Sequence, residues 1–309
     1  MTSVPLSPPA CPLCGAREGR RVGVRGNHEY PGADRNAEPH LVTNALRCSR
    51  CDLFYVESLS DESAKLEQAY YADADLYPGM GAAASAAALA RLRLIEKCVP
   101  RGTLLDVGAG KGEFVNAASA AGWEATGLEP SAGLARHAAG SGARVRQGYA
   151  DATDPAPAGG FDVITLIHVL EHVQNPIDLL RSVRSLLKPD GMIFVEVPNC
   201  DSYFLRFVEA YYRARHLNWS PRLSPFHAPF HRMGYTPRSL RFALSGGGYA
   251  ATESGTFAGF DRDCGLGGSA GPFEGLARRF LSRSLDLLGN RELLYAMASP
   301  QGLDSPRLG

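Results

Sequence analysis

The sequence predicts an open α/β sheet with helices on both faces, preceded by a small metal-stapled segment. Three observations carry this expectation. Residues 103–197 alternate short apolar runs with amphipathic stretches, the rhythm that builds a mostly parallel sheet. One apolar run, Leu104-Leu105-Asp106-Val107, leads directly into Gly108-Ala109-Gly110-Lys111-Gly112, a glycine turn that lets backbone approach a ligand closely. Four of the seven cysteines stand in two C-x-x-C pairs near the start of the chain.

The pairs are Cys11/Cys14 and Cys48/Cys51, in the contexts Cys11-Pro12-Leu13-Cys14-Gly15 and Cys48-Ser49-Arg50-Cys51-Asp52-Leu53. A glycine after the second cysteine permits the tight turn that aims amides at thiolate sulfur. Two such pairs supply four thiolates for one tetrahedral Zn²⁺. Neither pair lies beside a βαβ pattern, as a thioredoxin-like disulfide would require. Four thiolates leave no open coordination position, so the metal is expected to hold the fold and not to react. The spacing predicts an inserted hairpin or loop over roughly residues 24–42. Residues 1–60 thus read as a zinc-binding domain, too small and polar for a core unaided, with metal binding of order 10 kcal/mol supplying its folding. Cys98, Cys200 and Cys264 are scattered and read as buried apolar residues.

Residues 61–100 read as a helical linker. Asp61 can cap a first helix running to Tyr71, and Tyr77-Pro78-Gly79 breaks it. An alanine-rich helix over 82–98 follows, with Leu89, Leu92, Ile95 and Val99 at helical spacing and expected to pack on the sheet. The main domain, 101–309, then reads strand 103–107, helix 112–121, strand 124–128, helix 131–139 and strand 143–147. Next come strand Phe161–Ile167, helix 175–187 closed by Lys188-Pro189-Asp190-Gly191, and strand Met192–Val197. Helix Pro237–Leu244, strand Tyr249–Phe257, helix 272–288 and strand Leu293–Ala298 complete a seven-stranded sheet with its last strand antiparallel.

Between residues 201 and 245 the chain holds seven arginines but only Asp201 and Glu209 as acids, with ten aromatic residues interleaved. This segment reads either as a substrate cap or as an ordinary helical cap with solvated arginines. As a substrate cap, its guanidinium groups favour an anionic acceptor and its rings an aromatic one. Lysine plus arginine and aspartate plus glutamate both total 32, so bulk charge gives no reason to expect nucleic-acid binding. No apolar run is long enough to span a bilayer, and Met1–Ala10 is not a signal peptide. A cytoplasmic chain is the expectation; its residues do not specify an oligomeric state.

In open α/β sheets ligands bind beyond the carboxyl ends of the strands. That rule selects Asp106, Gly108 and Gly110, then Glu129 at the tip of the second strand, Asp151 after the third and His168 after the fourth. An acid at Glu129 can take both hydroxyls of a ribose, so the cofactor is expected to contain adenosine. A dinucleotide fingerprint would need glycine at position 113, where Glu113 stands and would face a pyrophosphate. A phosphate-free sulfonium cofactor meets no such conflict.

The run from Thr103 to Glu129 resembles motif I and the following acid of class I S-adenosylmethionine-dependent methyltransferases, whose fold is Rossmann-like. His168-Val169-Leu170-Glu171-His172-Val173 resembles the post-strand-4 motif of a subgroup ending in Leu-Glu-His. Pro229-Phe230-His231 before Tyr235-Thr236-Pro237 resembles its late histidine motif. The N-terminal cysteine pairs resemble those of many bacterial members. The resemblance implies S-adenosyl-L-methionine as cofactor and methyl transfer to a small-molecule acceptor such as a sugar, sugar nucleotide or polyketide-like compound. O-transfer is expected first, with C- and N-transfer open. Related quinone-biosynthesis and small-RNA enzymes hold a divalent metal with an acid, a Glu-His pair and, in the RNA enzymes, a late histidine. Carried over, these are His168 in place of the acid, Glu171, His172 and His231. Three imidazoles and one carboxylate suit Zn, Fe or Mn better than Mg²⁺. The other reading makes His172 or His231 a general base with Glu171 orienting an imidazole and no metal. His227 is a further candidate. An RNA-binding module gripping through the zinc segment is disfavoured by overall neutrality.

Overall fold

The computed structural model describes residues 9–26, 41–72, 74, 81–150, 157, 159–224, 230–257 and 289–301. The sequence-predicted helix 272–288, the break at Tyr77-Pro78-Gly79, Asp151, His227, Pro229 and Cys264 lie outside these residues.

Near the N-terminus, β1 (Gly19–Gly26) pairs antiparallel with β2 (Val42–Cys48), and β2 with β3 (Phe54–Val56). The expected insertion between the cysteine pairs therefore joins two paired strands; residues 27–40 lie outside the described ones. A fourth strand, β9 (Met233–Gly234), comes from far along the chain and pairs with β3.

The main sheet holds β4 (Thr103–Val107), β5 (Glu124–Glu129), β6 (Val145–Gln147), β7 (Phe161–Ile167), β8 (Leu187–Pro198), β10 (Tyr249–Phe257) and β11 (Leu293–Pro300). Their spatial order is β10-β11-β8-β7-β4-β5-β6, with β11 antiparallel to both neighbours. The strand order reverses at β4, where β5 lies on one side and β7 on the other. Such a switch point opens a crevice at the carboxyl ends of the strands. Helices α3 (Glu113–Ala120), α4 (Ala132–Gly140), α5 (Pro176–Arg184), α6 (Tyr203–Ala214) and α7 (Pro237–Gly246) bury one face each. This is the Rossmann-like, mostly parallel sheet that the alternation implied.

Several boundaries differ from the sequence reading. Helix α1 (Asp61–Ala72) is capped not by Asp61 but by Ser60, whose hydroxyl accepts the Ser63 amide at 3.4 Å. Helix α2 (Gly81–Ile95) turns Leu92 and Ile95 inward, but Leu89 is 47% exposed. The inward face carries Ala87, Ala88 and, unexpectedly, Arg91. Helix α5 stops at Arg184, and Lys188-Pro189-Asp190-Gly191 lies within β8 as a bulge: Phe161 pairs with Leu187, but Val163 pairs with Met192. Cys200 is buried as expected, whereas Cys98 is only half-buried.

Candidate functional site

The crevice begins with the glycine turn. Gly108, Gly110 and Gly112 have φ of +76°, +52° and +76°, a region glycine enters without penalty. A Cβ at Gly108 would stand 2.7 Å from Val169 Cγ2, and one at Gly112 would stand 2.5 Å from Ala143 Cβ. The first lets the loop after β7 pack on the turn; the second lets the start of α3 seat against α4 and β6. The Gly108 and Ala109 amides donate to the Leu128 carbonyl at 2.8 and 3.0 Å, tying the turn to the end of β5.

Glu129 closes the far side of that turn. One carboxylate oxygen accepts the Gly110 amide and the other the Ser131 amide, both at 2.8 Å. Each oxygen keeps a second lone pair, so the carboxylate retains acceptor capacity for two hydroxyls. Burial raises its pKa, and the two amides oppose that shift. Asp106 lies deeper. Burial pushes its carboxyl up to about 7, against the Thr165 hydroxyl that donates to it at 2.6 Å. A glycine turn packed too tightly for a Cβ at Gly108 or Gly112, beside a buried acid with spare lone pairs, fits a ribose-bearing cofactor.

The loop after β7 brings the next residues in. His168 adopts φ +55°, unusual for a side-chain-bearing residue, and its amide donates to the Glu196 carbonyl at 2.9 Å. Its ring lies between two acids, with Nδ1 3.1 Å from Glu171 and Nε2 3.1 Å from Glu196. Burial opposes its charge, but the hydrogen bonds to Glu171 and Glu196 outweigh burial and lift its pKa to about 9. Arg91 completes the chain of charges, its guanidinium gripping both Glu196 oxygens at 2.7 and 2.6 Å. Arg91 and Glu196 escaped the sequence reading, although each is a charge inside an otherwise apolar run.

Glu171, His172 and His231 form a separate group whose donor atoms lie within 4.8 Å of one another. His168 is not among them, because both its nitrogens are spent on carboxylates. His231 Nε2 is 3.8 Å from Glu171 Oε1, too far for a hydrogen bond. The His172 and His231 rings meet edge to face at 5.1 Å. Burial drives the His231 pKa down to about 3 and lowers that of His172, so both are neutral imidazoles near pH 7. For Glu171 burial works toward neutrality, but the His168 hydrogen bond and the surrounding imidazoles hold its pKa at about 2. Its Oε2 is buried with no hydrogen-bond partner among the described residues.

Helix α1 roofs this group. The Tyr71 hydroxyl lies 3.5 Å from His172 Nδ1, and the Tyr71 carbonyl accepts the Ser131 hydroxyl at 2.6 Å. Tyr70 and Phe230 pack with ring centroids 5.4 Å apart. Glu67 pairs with Arg232 beside His231. In the arginine-rich segment, Arg206, Arg213, Arg222 and Arg232 each sit on a carboxylate of this chain. Most of its positive charge is therefore met internally; of its rings, Phe230 packs on Tyr70 and Tyr71 beside the imidazoles, while Tyr211, Tyr212 and Trp219 pack on one another.

Cys11, Cys14, Cys48 and Cys51 bring their sulfurs within 4.8 Å of one another. Cys11–Cys51 and Cys14–Cys48 are both 3.5 Å apart, close to the ~3.8 Å edge of a tetrahedron with Zn–S bonds of about 2.3 Å. Each pair sits in a turn closed by an amide to the first cysteine's carbonyl, from Gly15 at 2.9 Å and from Asp52 at 3.1 Å. Gly15 and Asp52 both have φ +71°. The donor set and its spacing fit structural zinc.

Comparison with known proteins places these features in context. A methyltransferase domain model matches residues 82–254. The ubiquinone biosynthesis O-methyltransferase of Actinobacillus pleuropneumoniae serotype 7 is 34% identical over 121 residues, covering 35% of this chain and 52% of that protein. Its namesake from Marinobacter nauticus is 37% identical over 103 residues, covering 31% and 43%. The chain thus spans about half the length of the curated relatives it matches. A chain of the complex between the Haloferax volcanii Trm112 methyltransferase activator and a methyltransferase superposes with TM-score 0.52 at 17% identity. That match covers 78% of this chain and 99% of the other, and is a likeness of fold alone.

Proposed function

The chain belongs to the methyltransferase domain family, of the class I S-adenosylmethionine-dependent type, and from that premise we propose that it methylates a hydroxyl oxygen of a small-molecule acceptor. The observation that carries this reading is a pair of neutral imidazoles, His172 and His231, at the carboxyl edge of the sheet that also holds the glycine cradle. S-adenosyl-L-methionine, when bound, supplies a methyl carbon already activated by its sulfonium. Glu129 and the 108–112 turn would hold its ribose, with Asp106 beneath them; Asp151 completes the proposed cofactor set.

An unperturbed hydroxyl is a weak nucleophile near neutral pH, so the chain must accept its proton. His172 is the better base. A ring pushed to about 3 holds a proton poorly near neutrality, which disfavours His231. Glu171 orients His168 and keeps a negative charge beside both neutral rings, where it stabilises the imidazolium formed on proton transfer. Tyr70, Tyr71 and Phe230 beside this pair favour an acceptor with a ring, and the internally paired arginines argue for it over a strongly anionic one. Residues 201–245 are read as the cap of domain 101–309, residues 61–100 as its helical lead-in, and residues 1–60 as the zinc segment.

A second reading is favoured by one observation. The buried, partnerless Glu171 Oε2 and the two imidazoles make a two-nitrogen, one-oxygen set for a divalent metal. That set suits zinc, iron or manganese better than magnesium. In this reading Glu171, His172 and His231 would hold the ion, which would supply Lewis acidity toward the acceptor hydroxyl, and His172 would be a ligand and not the base.

The decisive experiment adds purified protein and S-adenosylmethionine with a ¹³C-methyl label to extract of the organism that encodes it. Label in acid-soluble compounds with the carbon shift of a methoxyl group supports the proposal; label on nitrogen, carbon or polymer refutes it. Gly110→Arg, which fills the cradle, is expected to abolish S-adenosylmethionine binding by calorimetry, and unchanged affinity would remove the cradle from the cofactor site.

A further inference from the structure

A short path of backbone hydrogen bonds joins the four-cysteine cluster to Glu171 and His231. Leaving Cys51, the chain turns through Asp52 and enters β3 at Phe54. Strand β3 pairs with β9 through Phe54↔Gly234 and Tyr55↔Met233. The amides of Arg232 and Met233 both donate to the Glu171 carbonyl, at 3.1 and 3.2 Å. His231 is the residue immediately before Arg232. A second set of contacts runs alongside: the Thr236 hydroxyl donates to the Asp52 carbonyl at 3.4 Å, and Arg238 to the Arg50 carbonyl at 2.7 Å.

The side chains repeat the connection. Cys11, Leu13, Cys48, Cys51 and Leu53 share one core with Leu170, Met233, Tyr235 and Leu240. Among the described residues β9 pairs in a sheet with β3 alone, and it is two residues long. So short a strand has little stability of its own and takes its position from the edge it is given. The edge given to its two residues is the stretch just after Cys51, while the flanking His231 and Tyr235 bridge Ser224 and Asn199.

We infer that the metal cluster is a positioning element of the methyl-transfer site, setting β9 and through it Glu171 and His231. With four thiolates on one Zn²⁺, the Cys51–Leu53 turn holds β3 in register, and Asp52 and Tyr55 act as the positioning residues on its two sides. Loss of the metal removes the bonds that tie the two cysteine turns together and leaves only weak thiol contacts between the sulfurs, so the Cys51–Leu53 turn is free to open and β9 loses the strand it pairs with. The inference rests on the reading of Glu171 and His231 as site residues, but its test does not use turnover.

Methionine methyl groups give the readout. Met233 lies in β9, while Met192 and Met297 lie in the main sheet's other core. The full chain, ¹³C-labelled at methionine methyls, is followed by NMR as zinc is removed with a chelator and then restored. Met233→Leu assigns the β9 signal, and Cys14→Ser substitutes for chelation if the metal resists removal. The expected result is one zinc per chain and a Met233 signal that shifts or broadens on removal and returns with zinc, while Met192 and Met297 hold still. A zinc-free protein with an unmoved Met233 signal would overturn the inference, as would simultaneous collapse of all three signals. S-adenosylmethionine affinity is measured in both states. Failure to bind in either would defeat the cofactor reading while the Met233 result still decides this one.

Discussion

Nε2 of His168 lies 3.1 Å from Oε1 of Glu196, on the side of the ring opposite Glu171. A ring with a carboxylate at each nitrogen carries both protons, so the loop after β7 is locked by a cation and not by a base. The sign of its pH dependence follows. Its pKa of about 9 exceeds the ordinary 6.5, so the stabilisation it brings is complete below about 6.5 and is lost as pH rises through 9. Urea midpoints of the native chain should therefore fall between about pH 6 and pH 10 more steeply than those of His168→Gln. Equal slopes in the two proteins would show that the ring is not doubly protonated in the native state.

Arg91 and Glu196 are both almost wholly buried, with side chains 5% and 0% exposed. Removing Arg91 leaves Glu196 with His168 as its remaining cation, so the loss is expected to fall below the about 3–5 kcal/mol of a buried pair broken outright. Arg91→Leu should lower stability by about 1–3 kcal/mol and leave His168 as the sole cation on Glu196, raising the pKa of its ring further. A change under about 1 kcal/mol in denaturant unfolding would mean that water or another cation reaches Glu196.

The two neutral imidazoles should be unequal. His172→Ala is expected to reduce turnover at least tenfold, in the range of a lost general base, and by more than His231→Ala does. S-adenosylmethionine affinity should hold in both variants, since neither ring belongs to the glycine cradle. The comparison is a turnover assay on the acceptor isolated from labelled extract. Reversal of the order would transfer the base to His231. Equal, near-complete losses accompanied by loss of a bound divalent metal would instead favour the metal reading.

The sequence by itself determined the alternation that makes the sheet, the glycine turn, and the acid at Glu129. These are local matters: apolar period, turn chemistry and the carboxyl-edge rule act over a few residues and need no partner from elsewhere. The two cysteine pairs belong with them, because four thiolates at that spacing have few other uses. Its errors were also local. Leu89 looked apolar enough to face the sheet, but helix α2 rotates to bring Arg91 to Glu196, because a charge in an apolar strand must find its counter-charge. The Lys188–Gly191 turn looked like a stop and is absorbed as a bulge in β8.

Only the tertiary structure decided how the candidate residues divide. Spaced at i, i+3 and i+4, His168, Glu171 and His172 would share one face if the loop turned helically. In the folded chain the left-handed turn at His168 sends its ring to Glu196 and leaves Glu171 and His172 to meet His231. Tertiary structure also decided that the cysteine segment is not an appendage, since β9 reaches across the chain to complete its sheet. Both outcomes rest on pairings between residues distant in sequence, Arg91 with Glu196 and Tyr55 with Met233. Spacing along a sequence cannot specify such pairings; burial and the need to satisfy buried charges and amides do.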